Sequence, residues 1–332
     1  MNFRKHKVMG AAVATSMLVA LAACGGSSGD ADAGEGGAAV VEYGGQTIVP
    51  DLVFRGKDWG QPHDVEISQV KFPSGSEAFE ALLSGEVNVS NGGSGRLITI
   101  GAQRPDAIAM VAKWQFGGNR YSLLLPPDSD ISTPADLKGK KVAVDTGSGA
   151  FTLFQVWLEQ NDLAPNDVEI VESKVTDVGS AVQAGSADVG IAWEPTASLL
   201  VEQGLVERFT TLKDAGQSPN FLIVDREWAE DNRESLVAFL RAAIDVGEFI
   251  VDDPDAAGQM AADVSKSEGV ESPPAALAES LRHIEMAPEI DDASLEELES
   301  LAEDMVEQQL VPNVPDFKSM VDTSYLDEAM SE

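Results

Sequence analysis

EAFEALLSGEVNVSNGG, residues 77–93, and DVGSAVQAGSADVGIAWEP, residues 177–195, decide the reading of the fold. Each passes through one scheme: a helical pattern, a Ser/Gly turn, an acidic or polar step, a short apolar strand, then a loop. We read them as one supersecondary unit used once in each of two lobes, although the identity between them is too low for a repeat. Working outward, short β-rich runs alternate with helical patterns from residue 40 onward. Strands are expected over 40–43, 65–72, 87–90, 107–112, 121–125, 141–145, 168–172, 189–193 and 221–224, and helices over 76–84, 150–161, 175–184 and 195–203. That alternation marks α/β domains. A chain of 332 residues exceeds one small core and suggests two domains of ordinary size.

After residue 234 the pattern turns helical. Residues 235–251 form an amphipathic helix on Leu236, Phe239, Leu240, Ala243, Ile244 and Phe249. Shorter helices are expected over 254–265 and 275–282, and one over 294–309, with Ser294 as N-cap and Glu297 completing a capping box. Beyond residue 252 the only bases are Lys266, Arg282 and Lys318. The acids are spread around helices, which favours a solvated surface over a docking face for a basic partner. Over the whole chain, 56 acidic against 22 basic residues give a formal charge of −34. Such a charge repels phosphate backbones and argues against nucleic acid as a partner. One cysteine excludes an intrachain disulfide framework, and with three histidines leaves little for a structural metal site, so no metal is expected.

The first residues read as an export signal. Arg4, Lys5 and Lys7 precede a small and apolar run over 9–22, too short to span a bilayer. The run ends in Leu21-Ala22-Ala23-Cys24, which resembles the lipobox of bacterial lipoproteins. That resemblance implies a signal peptide over 1–23, lipidation of Cys24, and placement on the extracytoplasmic face of the cell membrane. Residues 24–39, rich in Gly, Ala and Ser, read as a flexible tether.

Two glycine loops stand where an anion could be held. Asn91-Gly92-Gly93-Ser94-Gly95 follows one expected strand and opens a helix, and Thr146-Gly147-Ser148-Gly149 repeats the arrangement before the helix over 150–161. Glycines admit close backbone approach, and helix N-termini offer unpaired N–H groups and positive potential. Plain turn glycines are the alternative. A third loop, Gly44-Gly45-Gln46-Thr47, adds hydrogen-bonding side chains in Gln46 and Thr47. Trp193 is either a pocket wall or core. Glu194 is either the partner of a ligand ammonium, which would favour a ligand carrying both an anion and an amine, or a helix N-terminal acid beside Pro195. Arg120 is the planar cation suited to a sulfonate or carboxylate, with Arg96 a second base near the loops, and Asn220 is a further candidate. Trp114 reads as core, and His63 and His283 stand alone without metal-pair spacing.

The segments FPSGSEAFEALLSGEVNVSNGGSG (72–95), DSDISTPADLKGKKVAVDTGSGA (128–150) and AGSADVGIAWEP (184–195) together resemble the substrate-binding lipoproteins of ABC importers for nitrate, sulfonates and taurine. The resemblance covers roughly residues 40–226. It implies the two-lobe periplasmic-binding-protein type II fold of the α/β class. Residues 40–126 and 220–332 would form the first lobe, 127–219 the second, and two crossing strands would join them. It further implies a monomer that closes on a small anionic or zwitterionic solute, an aliphatic sulfonate or taurine, and hands it to an ABC permease without a cofactor. The alternatives are an exported enzyme of the same superfamily acting on a pyrimidine-like substrate, and a ligand-sensing lipoprotein. The sequence carries no G-x-S-x-G, HExxH or P-loop motif that would support an enzyme.

Overall fold

The computed structural model describes residues 40–72 and 74–331. The expected signal peptide (1–23), the tether (24–39) and Cys24 lie outside the described residues.

Two five-stranded sheets organise the chain. The first has the order β2-β1-β3-β10-β4 and joins β1 (Val41–Gly45), β2 (Ile67–Lys71), β3 (Val89–Gly93), β4 (Ile108–Lys113) and β10 (Asn220–Asp225). The second has the order β7-β6-β8-β5-β9 and joins β5 (Tyr121–Leu125), β6 (Lys141–Val144), β7 (Glu169–Glu172), β8 (Val189–Trp193) and β9 (Glu207–Thr211). In each sheet three strands are parallel, and one antiparallel strand beside them has entered from the other lobe. Strands β4 and β5 are buried along their whole length. They read as continuous apolar runs because helices cover both faces.

Helices α1 (Val49–Phe54), α2 (Gly75–Ser84) and α3 (Ser94–Gly101) belong to the first sheet, and α4 (Gly149–Gln160), α5 (Val175–Gln183) and α6 (Thr196–Glu202) to the second. The two units that decided the sequence reading are α2–β3 and α5–β8. Helix α2 starts where Ser74 Oγ accepts from Glu77 N, and it ends at Gly85, whose φ of 76° suits glycine. The C-terminal part adds α7 (Arg226–Asp231), α8 (Arg233–Asp252), α9 (Pro254–Ser267), α10 (Pro274–Arg282) and α11 (Asp292–Glu307). The long α8 buries Leu236, Phe239, Leu240, Ala243, Val246 and Ile250 in the core of the first lobe, with Ile244 and Phe249 half-buried at its edge.

Three expectations are corrected. Strand β5 pairs with β8 and β9, so residues 121–125 sit in the second sheet and not in the first lobe, where a boundary at 126 put them. Strand β9 had not been expected. It is an edge strand of sequence ERFTT that buries little and so lacks an apolar run. Finally, α11 is capped by Asp291, which accepts from Ser294 N at 2.8 Å, so the helix starts earlier than a Ser294 cap implies and Glu297 is released for another role.

The sheets are joined by crossings over 114–120 and 212–219. Paired bonds hold them together: Trp114 N to Asn220 O at 2.8 Å, Asn220 N to Gln115 O at 2.9 Å and Gly117 N to Gln217 O at 2.7 Å. Gly118 is required here, since a Cβ would fall 2.2 Å from the Leu212 carbonyl oxygen. A third strand runs alongside. Phe116 and Glu285 exchange both backbone bonds at 3.0 Å, and Lys113 N donates to Pro288 O at 2.8 Å. The buried Lys113 ammonium then reaches Asp291 at 2.8 Å. Burial raises the Asp291 carboxyl, but the bonds from Lys113 and Ser294 outweigh it and hold it at about 2. A carboxylate depressed in the folded state stabilises above its unfolded value of about 3.9, and that contribution is lost as pH falls through the folded value. Asp291→Asn should therefore shrink the loss of urea stability between about pH 5 and about pH 2.5. An unchanged loss would show that this pair does not contribute to acid sensitivity.

Candidate functional site

The N-termini of α3 and α4, one from each lobe, abut consecutive residues where the second crossing runs into β10. Ser94, the first residue of α3, donates its hydroxyl to the Pro219 carbonyl at 3.2 Å. A Cβ on Gly93 would come within 3.7 Å of Asn220 Oδ1. Across the junction, a Cβ on Gly149, the first residue of α4, would stand 2.7 Å from Ser218 Oγ and 3.3 Å from the Tyr121 hydroxyl. The first-turn N–H groups of both helices have no partner inside their helix. Their positive ends therefore converge on residues 218–220.

Arg120 lies at this convergence. It is 7% exposed. Its Nη1 and Nη2 donate to Asn220 Oδ1 at 3.3 and 3.2 Å, and Nη2 also donates to the Ser218 carbonyl and, at 3.4 Å, to Ser218 Oγ. The guanidinium carbon stands 4.9 Å from the centroid of the Tyr121 ring. Every acceptor it uses is neutral, and its Nε is buried without a partner. This is a buried cation with no counter-ion among the described residues, in a chain whose acids outnumber its bases 56 to 22. Leaving such a charge unpaired is expensive, and an anion beside it relieves that cost.

The structure brings Gly93, Ser94, Gly149, Arg120 and Asn220 together and gives the other expected residues different partners. Gly92 answers a packing need, because a Cβ there would lie 1.9 Å from the Phe79 ring. Gln46 is engaged within the first lobe, its Nε2 donating to Asn91 O at 2.9 Å and to Asn91 Oδ1 at 2.6 Å. Thr47 is exposed in the turn before α1. Thr146 donates its N–H and hydroxyl to Glu172 on β7, and Gly147 N donates to Asp145 Oδ1 at 3.0 Å, so neither amide is offered to a ligand. Ser148 caps no amide with its hydroxyl, which bonds Asp145 O at 2.7 Å. Trp193 is half-buried against the core of the second lobe.

The contacts of Glu194 match its second reading, an acid at the start of a helix beside Pro195. Its carboxylate accepts from Arg208 Nη2 at 2.8 Å and from Ser198 N at 3.1 Å, so it holds an ion pair and the start of α6. Arg96 pairs with Glu80 at the surface. His63 bonds Asp245 at 2.8 Å, and His283 bridges Asn119 and Glu279.

Sequence reading missed Ser218, Tyr121, Asp51 and Glu297. Ser218 has φ 45°, the left-handed region. Its hydroxyl bonds the Tyr121 hydroxyl at 2.8 Å. Asp51, fully buried in α1, accepts from Tyr43 Oη at 2.9 Å, Asn91 Nδ2 at 2.9 Å, Trp114 Nε1 at 2.7 Å and the Gln46 amide. It ties the β1–α1 loop and the end of β3 to the first crossing. A Gly-Gln-Ser-Pro-Asn run signals a turn and nothing more, and Asp51 looks like an ordinary first-turn acid after Pro50.

A family model described as NMT1/THI5 like matches residues 48–257. The taurine-binding periplasmic protein of Escherichia coli (strain K12) is 30% identical over 190 residues, which are 56% of this chain and 58% of that relative. The match thus spans little more than half of that relative's length. Among solved structures, the periplasmic aliphatic sulphonate binding protein of Escherichia coli superposes with a TM-score of 0.74 at 23% identity, over 85% of this chain and 92% of its own. A desulfurization enzyme superposes with a TM-score of 0.66 at 15% identity, over 88% of this chain and 98% of its own. At these identities the superpositions speak to fold alone. They bear out the expected two-lobe α/β architecture, which binding proteins and an enzyme share.

Proposed function

The chain belongs to the NMT1/THI5-like family, and from that premise we propose that it is an extracytoplasmic solute-binding lipoprotein of an ABC importer that closes its lobes on a small organic sulfonate. The observation that carries this is Arg120, buried without a counter-ion among the described residues where two helix N-termini converge. A sulfonate offers three oxygens to a planar guanidinium and to first-turn N–H groups. Lipid at Cys24 and a membrane permease partner follow from the lipobox-like sequence and from the class of the relatives. No described helix is long and apolar enough to cross a membrane.

Glu194 refines the ligand. With its carboxylate engaged by Arg208 and Ser198, the acid expected to meet an ammonium is not available. An alkanesulfonate therefore suits this site better than taurine, reversing the preference that a cleft-facing Glu194 would give. Binding without chemistry is favoured over catalysis, because Ser148 Oγ bonds a carbonyl and Ser218 Oγ sits between Tyr121 and Arg120. Among the described residues neither hydroxyl is hydrogen-bonded to a histidine or carboxylate that could take its proton, and the Glu297 carboxylate beside Ser218 is engaged by backbone amides.

Titration calorimetry with ethanesulfonate, taurine and nitrate on the chain from residue 25 onward tests the reading. Ethanesulfonate should bind at least about tenfold more tightly than taurine, since an ammonium left without a partner loses its hydration. Gly93→Val, which fills the space beside Asn220, should abolish the heat while leaving the melting temperature in place. No binding of any sulfonate would sink the proposal, and a preference for taurine would sink the role given to Glu194.

A further inference from the structure

We propose that Glu297 is the positioning residue of the anion site: its carboxylate clamps the backbone of Gln217 and Ser218 and so sets the conformation in which Ser218 holds Arg120. The proposal rests on the reading of Arg120 as the anion ligand and extends it to a residue that touches no ligand.

Glu297 projects from the first turns of α11 onto the second crossing. Its Oε2 accepts from Gln217 N at 2.7 Å and its Oε1 from Ser218 N at 2.6 Å. The two bonds fix the orientation of the peptide between Gln217 and Ser218, and directly after it the chain enters the left-handed region at Ser218, with φ 45°. A serine in the left-handed region is strained, and such a conformation persists only where its surroundings impose it. Here the two charge-assisted bonds pin the Ser218 amide on one side, and Arg120 and Tyr121 hold its carbonyl and hydroxyl on the other. The turn then directs the other two polar groups of Ser218 toward the site. The carbonyl and hydroxyl both accept from Arg120 Nη2, and the hydroxyl also meets Tyr121 and stands against Gly149 at the start of α4.

Neighbouring contacts anchor the clamp. Ser294 Oγ donates its one proton to Asp291 Oδ1 at 2.6 Å and lies 3.0 Å from Gln217 Oε1, and Asp291 holds Lys113 at the end of β4. The start of α11 is thus fastened to the end of β4 and to the second crossing at once. The carboxylate also takes up two N–H groups that would otherwise be open to an anion, which leaves the guanidinium and the helix N-termini to bind it.

The test is a double-mutant cycle on ethanesulfonate affinity. Glu297→Gln keeps the size and one acceptor oxygen but turns an N–H2 group toward an N–H donor. It should weaken binding about tenfold in the native background. It should change binding less than about twofold when Arg120 is already Met, because a positioning residue acts through the group it positions. Equal losses in both backgrounds, or no loss in either, would overturn the proposal.

Two measurements on ligand-free protein stand apart from the functional reading. In the native protein the Ser218 amide should exchange slowly with deuterium; fast exchange would mean that the clamp does not form. The Arg120 Nε–H signal in a nitrogen-15 spectrum should be sharp in the native protein and broadened in Glu297→Gln. An unchanged signal would overturn the positioning role whatever the protein binds, whereas failure of every sulfonate to bind would count against the proposed ligand and leave these two readouts to decide on Glu297.

Discussion

Arg120→Met should lower the affinity for ethanesulfonate by about 100-fold, or about 2.7 kcal/mol, while the ligand-free protein keeps its stability to within about 1 kcal/mol. The two parts of this expectation have one origin. In the empty site Arg120 is a buried cation whose acceptors, Asn220 Oδ1 and the Ser218 carbonyl and hydroxyl, are all neutral. Removing it strands those acceptors, a cost of about 1–3 kcal/mol, but it also removes an uncompensated buried charge, a gain of similar order. Methionine refills the volume of the stem with an adaptable side chain. With an anion bound the balance changes, because the charge is then compensated and its removal leaves the anion unpaired. Calorimetric titration and urea melts on the same sample separate the two effects. A loss below about threefold would move the anion away from Arg120. A large drop in stability without ligand would mean that the guanidinium serves the fold first.

The lobes were legible in sequence because each is built from units whose local signals agree: a capped helix, a glycine stop and an apolar strand. What escaped was set by distant partners. Strand β9 carries almost no buried apolar residue and exists because β5 offers it an edge. The boundary at 126 failed because β5 is an apolar run that would suit either sheet; only the crossing at 114–120 decides that it joins β8. At the site, position was readable and purpose was not. Both glycine loops do lead into helix N-termini near the crossings, yet Gly92 is a glycine because of Phe79, and Thr146 faces Glu172. Nothing local distinguishes those roles from ligand contact. Arg120 could be singled out for its chemistry, whereas the groups that hold it, Ser218 and Glu297, are 98 and 177 positions away in sequence. A hydrogen bond across that distance leaves no trace in periodicity or composition.

Asp51→Ala should be among the most destabilising single changes in the first lobe, at about 3–5 kcal/mol, although Asp51 touches no proposed ligand. Burial pushes its carboxyl up, and the bonds from the Gln46 amide, Asn91, Trp114 and Tyr43 act against that shift. Those four donors come from the β1–α1 loop, the end of β3, the first crossing and β1, and they share one acceptor group. Truncation removes the acceptor that the Trp114 indole, the Tyr43 hydroxyl and one Asn91 N–H share, while Asn91 Nδ2 keeps its bond to Tyr43 Oη; each stranded buried donor costs about 1–3 kcal/mol before relaxation. Tyr43 also sits among Phe54 and Phe239, with ring centroids at 5.3 and 5.4 Å, so its hydroxyl cannot turn to water without disturbing the aromatic core. For a lobe of this size the melting temperature should fall by about 10 °C. Asp51→Asn is the informative companion. It keeps the shape and one oxygen but presents an N–H2 group to donors, so it should recover only part of the loss. If both variants melted within a degree or two of the native protein, the carboxylate would be incidental to the fold. The coupling between the loop carrying Gln46 and the crossing carrying Trp114 would then have to come from the surrounding apolar packing alone.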